Sequence, residues 1–148
     1  MSSGLSLRSV KFREIQDEAP SEVWDDDVVP RTAVIVDDHP TFRRFARKLL
    51  EAAGYLVVGE AEDGAAAIVT VRTLRPDVVL LDVLLPDTTG FAVAKELANE
   101  PERPLVVLTS SRSASDLGPL VRSEHAQGFI SKRELTVAAL AALVSEAA

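Results

Sequence analysis

The 148-residue sequence contains no cysteine. Disulfides and thiolate metal sites are therefore excluded, and a reducing, cytoplasmic setting is the expectation that fits. No apolar run approaches the roughly 20 residues that a membrane-spanning helix requires. The opening "MSSGLSLRSVKFREIQDEAP" also lacks a sustained apolar stretch of the secretory type. Neither membrane insertion nor export is expected. Positive charge is short as well, with 16 basic side chains against 23 acidic ones and a formal net charge of −7. Without a basic stripe, direct nucleic-acid binding lacks the phosphate neutralisation that supplies most of its affinity. Internal repeats and low-complexity tracts are absent too. What remains is ordinary globular composition, 47% hydrophobic and 26% charged, in a chain long enough for one domain.

The acidic excess is unevenly spread. Within residues 1–30, "QDEAPSEVWDDDVVP" carries acids, two prolines and no lasting periodicity, and it reads as a flexible acidic extension. Its Trp24, near Val23, Val28 and Val29, offers the alternative of docking on the domain or on a partner. From residue 31 to residue 148 the pattern changes to strict alternation of strand and helix. "TAVIVDD", "YLVVGEA", "DVVLLD", "PLVVLTS" and "QGFISK" are short apolar strand candidates. Between them lie the helix candidates "HPTFRRFARKLLEAAG", "DGAAAIVTVRTLR", "TGFAVAKELANE" and "ASDLGPLVRSE". "ELTVAALAALVSEAA" closes the chain as a fifth. Pro40 suits a first helical turn, and Gly54 stands where the first helix should stop. Gly118 and Pro119 make the fourth helix the least ideal. Five such units predict an α/β fold, a doubly wound five-stranded parallel sheet of the flavodoxin-like (βα)5 type, whose ligand site lies at the carboxyl ends of the strands.

Polar residues collect at that rim. Asp37 and Asp38 end the first strand, Asp82 the third and Thr109 the fourth, and Lys132 follows the fifth, whereas the strand interiors are apolar. A carboxylate ending a buried strand costs several kcal/mol to desolvate unless it has a partner. Three carboxylates together repel one another unless a cation lies among them, and an all-oxygen donor set suits a hard ion such as Mg²⁺. A lysine at the same rim makes sense if an anion is bound there as well. A phosphoryl group fits, with Asp82 as its nucleophile and Thr109 donating to one of its oxygens.

Residues 31–148 resemble the receiver domain of bacterial two-component response regulators, carried by "VIVDDHP", "VVLLDVLLPDTTG", "VVLTSS" and "GFISK" in that order. The resemblance implies that Asp37 and Asp38 hold Mg²⁺, with Asp82 both a metal ligand and the phosphoacceptor. It makes the Leu84 backbone carbonyl a further ligand, Thr109 the switch hydroxyl, Lys132 the phosphate-binding lysine and Phe129 the switch aromatic. It also implies a histidine kinase or histidine phosphotransfer protein as donor. Output would pass to a downstream protein, or to a second copy in a phosphorylation-dependent dimer, through the fourth helix, fifth strand and fifth helix. Ala138, Ala142 and Val144 are candidates for that face. Arg43, Arg44, Arg47 and Lys48 form a basic face on the first helix that is expected to help dock the donor.

With the chain ending at Ala148, a stand-alone receiver is the expectation; the receiver part of a DNA-binding transcription regulator is the alternative. An Mg²⁺-dependent aspartyl-phosphate phosphohydrolase fits less well, because the position two beyond Asp82, where its acid–base aspartate belongs, is Leu84. A dinucleotide binder fits worse still, since no glycine-rich loop follows the first strand. His39 and His125 are expected to be ordinary residues outside the chemistry.

Overall fold

A computed structural model describes residues 31–112, 114–117 and 125–145. The elements alternate as the sequence predicts: β1 (Thr32–Val36), α1 (Pro40–Ala52), β2 (Leu56–Ala61), α2 (Gly64–Leu74), β3 (Val78–Asp82), α3 (Gly90–Leu97), β4 (Leu105–Ser110), α4 (Ala114–Leu117), β5 (Gly128–Ser131) and α5 (Val137–Ser145). Among the described residues these five strands pair in parallel, in the order β2-β1-β3-β4-β5. Strand order reverses between β1 and β3, and a crevice opens at such a switch point beyond the strand carboxyl ends. β1 ends just before Asp37 and β3 ends on Asp82.

Alternation along the buried strands divides the core between two faces. Val34, Val36, Val79, Leu81 and Leu108 pack with Ala67 and Val71 of α2 and with Val93 and Leu97 of α3. Ala33, Ile35, Leu80, Val107 and Ile130 face Ala46 and Leu50 of α1 and Leu140 and Val144 of α5. α1 stops as its glycine predicts: Gly54 takes φ +94°, Gly54 N donates to Glu51 O at 3.0 Å, and Tyr55 N donates to Leu50 O at 2.9 Å. Two helices are shorter than the sequence suggests. α3 ends at Leu97, and its last carbonyls are met by the tighter bonds Asn99 N to Glu96 O and Glu100 N to Leu97 O. Residues Lys132–Glu134 form a 3₁₀ turn, and α5 starts only after Thr136, whose hydroxyl accepts from Ala139 N at 3.0 Å. Val144 belongs to the core rather than to an exposed face, whereas Ala138 and Ala142 are exposed. The acidic extension with Trp24, and Gly118 and Pro119, expected within the fourth helix, lie outside the described residues.

Candidate functional site

β1 and β3 are neighbours, so their ends place Asp37 and Asp82 side by side, and β4 adds Thr109 directly opposite Asp82 in register. Asp37 is 0% exposed, Asp82 5% and Thr109 1%. Lys132, on the 3₁₀ turn that follows β5, reaches back over the rim. Its Nζ lies 2.6 Å from Asp37 Oδ2 and 3.5 Å from Asp82 Oδ2. The shorter contact is an ion pair without hydrogen-bond alignment, and Nζ also stands 4.3 Å from the Phe42 ring centroid. One cation therefore serves two buried carboxylates, with the aromatic face lending it further support.

Asp82 is the strained member electrostatically. Burial, then the neighbouring Asp37 charge, push its carboxyl up to about 6; the Lys132 ammonium and the Leu84 N–H, 3.4 Å from Oδ1, offset only part of this. The Thr109 hydroxyl is buried without a hydrogen-bond partner. Such a group costs free energy in the resting protein and is recovered when an acceptor arrives. Asp38 is partly exposed at the outer edge. Ligand atoms of Asp37, Asp38, His39 and Asp82 lie within 4.8 Å of one another. The three carboxylates of that set, with an unsatisfied hydroxyl on the neighbouring strand, fit a hard divalent cation with an anion next to it.

The loop after Asp82 is closely built. Val83 N donates to Thr109 O at 2.8 Å and Gly90 N to Val83 O at 2.7 Å. Leu84 bridges to Thr89. A Cβ on Gly90 would stand 2.4 Å from the Asp82 carbonyl, so only glycine fits there. Phe129, partly buried on β5, packs against the core face shared by α2 and α3.

Several contacts of the site are invisible to residue-type reasoning. His39 Nδ1 lies 3.1 Å from Oδ1 of both Asp37 and Asp38, so this residue touches the acidic pair instead of standing apart. Phe42, on the first turn of α1, supports Lys132 across 90 residues of sequence. A first turn that follows directly on Asp37 and Asp38 is the signal that could have pointed to both. The expected basic face is divided. Arg43 Nε and Arg47 Nε both donate to Glu60 at 2.9 Å, and Arg43 also donates to the Asp37 carbonyl at 2.6 Å. Burial pushes Glu60 up, but these bonds and charges outweigh it and hold its carboxyl below the usual range. Arg44 and Lys48 are the exposed remainder.

A parallel five-stranded sheet with acids at its switch point and a lysine beyond its last strand defines the receiver class. The response regulator receiver domain family matches residues 33–144, and the chain belongs to that family. The transcriptional regulatory protein PdtaR of Mycobacterium tuberculosis is 36% identical over 107 residues, 72% of this chain and 52% of the relative. The DNA-binding transcriptional activator EvgA of Escherichia coli K12 is 31% identical over 102 residues, 69% of this chain and 50% of the relative. This chain thus spans about half the length of these curated relatives. Among solved structures, the signal receiver domain of NarL from Mycobacterium tuberculosis superposes with a TM-score of 0.65 at 33% identity, covering 78% of this chain and 97% of that one. The CheY-like receiver domain from Methylobacillus flagellatus gives 0.68 at 27% identity, with 80% and 98% covered.

Proposed function

We propose that Asp82 accepts a phosphoryl group from a phosphohistidine of a kinase or phosphotransfer protein in a Mg²⁺-dependent step. The observation that carries the reading is the convergence of Asp37, Asp82 and Lys132 within ion-pair distance at the switch point, with Asp82 short of compensating charge. An Asp82 carboxylate oxygen attacks phosphorus, the P–N bond to the donor imidazole breaks, and the imidazole leaves with the bond's electron pair and takes up a proton. Asp37, Asp38, Asp82 and the Leu84 carbonyl would hold the metal ion, which when bound supplies positive charge beside the transferring oxygens. Lys132 then turns from Asp37 to a phosphoryl oxygen, and the Thr109 hydroxyl gains an acceptor. Thr109 and Phe129 respond to the added charge, and with them the surface of α4, β5 and α5.

In this reading residues 31–148 are the receiver and residues 1–30 an acidic extension to it. The protein is a cytoplasmic phosphoacceptor that signals by contact with a protein target or a second copy. A second reading, the receiver part of a DNA-binding regulator, is favoured by the half-length coverage of relatives such as EvgA. Phosphohydrolase chemistry is disfavoured because Leu84 offers no proton where that chemistry needs one. Incubation with acetyl phosphate and Mg²⁺, followed by intact mass, tests the proposal. One stoichiometric phosphoryl increment, absent in Asp82→Asn, is expected; multiple turnover of a small phosphoester without a labelled protein would overturn it.

A further inference from the structure

The first turn of α2 is capped twice, and the second cap comes from the loop that follows Asp82. A helix leaves its first four N–H groups without intrahelical acceptors. Here Ala67 N to Asp63 O at 3.0 Å is the first intrahelical bond, and the side chain of Asp63, the N-cap, accepts from Ala66 N at 2.7 Å. Two further donors of that turn, Gly64 N and Ala65 N, go to Asp87 Oδ1 at 2.8 Å and Oδ2 at 3.0 Å. These bonds hold the Asp87 carboxyl below the usual range. Both carboxylates also sit at the positive end of the helix dipole. The fit is close: a Cβ on Gly64 would stand 2.3 Å from Thr88 Cγ2, so glycine is what lets the loop tip seat on the helix.

Asp87 and Asp63 look equivalent as caps, but only Asp87 ties the helix to the Asp82–Gly90 loop. Between its tip and Asp82 the loop is held by Leu85 N to Thr88 O at 3.1 Å and Gly90 N to Val83 O at 2.7 Å, the two bonds that make the Leu84–Thr89 bridge. α2 itself is fixed by Ala67 and Val71 in the core. We propose that Asp87 is a positioning residue: it staples the loop to α2 and thereby sets the placement of the Leu84 backbone beside Asp82. This rests on the reading of Asp82 as the phosphoacceptor with the Leu84 carbonyl as a metal ligand. Losing a group that orients a metal ligand typically costs about tenfold to a hundredfold in metal affinity. For an exposed carboxylate the lower end is expected.

Asp63→Ala is the matched control, because it removes a cap from the same helix end and leaves the loop tied. The test compares the parent protein with Asp87→Ala, Asp87→Asn and Asp63→Ala, well below their melting temperatures. Amide hydrogen exchange at Leu85 and Gly90, without metal, reads the loop; the Mg²⁺ concentration that half-saturates acetyl phosphate labelling reads the site. Asp87→Ala should speed loop exchange and raise half-saturating Mg²⁺ about tenfold. Asp87→Asn, which keeps one acceptor, should fall between, and Asp63→Ala should leave both readouts near the parent values. Equal effects of Asp87→Ala and Asp63→Ala, or unchanged loop exchange in Asp87→Ala, overturn the positioning role alone. A parent protein that takes no label overturns the phosphoacceptor reading and the proposal with it, whatever the exchange data show.

Discussion

β3 has an aspartate at each end, and the two are used in opposite ways. Asp77, just before the strand, is exposed and bonded to β1 through its backbone N–H and one carboxylate oxygen. Its Oδ2 accepts from Thr32 N at 2.7 Å and from Thr32 Oγ1 at 3.3 Å, and its own N–H reaches Thr32 O at 3.0 Å. Asp82, at the far end, is buried, shares one lysine with Asp37, and receives a single long N–H contact from Leu84. The first carboxylate stabilises the pairing of β1 with β3. The second is kept short of partners, at a cost in stability that a structural role would not explain and that an incoming cation and phosphoryl group would relieve.

The widest separation between the two is expected in labelling. Asp82→Asn should abolish acetyl phosphate labelling, whereas Asp77→Asn should label like the parent; intact mass reads both. Next comes Lys132→Met, which leaves Asp37 and Asp82 facing each other uncompensated. It should cost about 2–3 kcal/mol of metal-free stability at neutral pH, measured by urea unfolding, with part of the loss recovered in Mg²⁺. Asp77→Lys, by contrast, should leave the response of stability to Mg²⁺ unchanged.

The pH response should follow in size. The Asp82 carboxyl titrates near 4 in the unfolded chain and at about 6 in the folded one. Between these values the folded state binds the extra proton, so metal-free stability falls as pH rises from about 4 to about 6, and the penalty is complete above that. About 2 kcal/mol is expected after solvent screening at the rim. Asp82→Asn should flatten the curve in this window, and an unchanged slope in that variant would remove Asp82 as its source. The smallest effect should be Asp77→Ala, about 1 kcal/mol from exposed hydrogen bonds, with no change in labelling.

Much of this architecture is legible in the sequence because the strands are short apolar runs that end on polar residues. Asp37, Asp38, Asp82, Thr109 and Lys132 all declare themselves by standing at such ends, and the structure brings Asp37, Asp82 and Lys132 into contact. Contacts between elements are not legible in the same way. Glu60 on β2 forms ion pairs with both Arg43 and Arg47, so a helix that reads as basic in one dimension is half paired in three. Asp87 meets Gly64 and Ala65 only because α2 and the β3–α3 loop converge at the rim. The start of α5 is misjudged for a local reason: Glu134 is a good helix former, but its carboxylate accepts from the Ser131 hydroxyl at 3.1 Å within the 3₁₀ turn, and Thr136 supplies the cap two residues later. Val144 reads as a candidate for an exposed face because an alanine-rich helix has little amphipathic contrast to orient it.

Phosphoryl transfer to Asp82 leaves a chemical mark that can be mapped to a single position. An aspartyl phosphate is reduced by borohydride to homoserine, which marks its position in a peptide. After acetyl phosphate and Mg²⁺ treatment, homoserine at position 82 alone is the expected result. Homoserine at position 37 or 38, or its absence from a protein that carries the phosphoryl label, would rule out Asp82 as the phosphoacceptor.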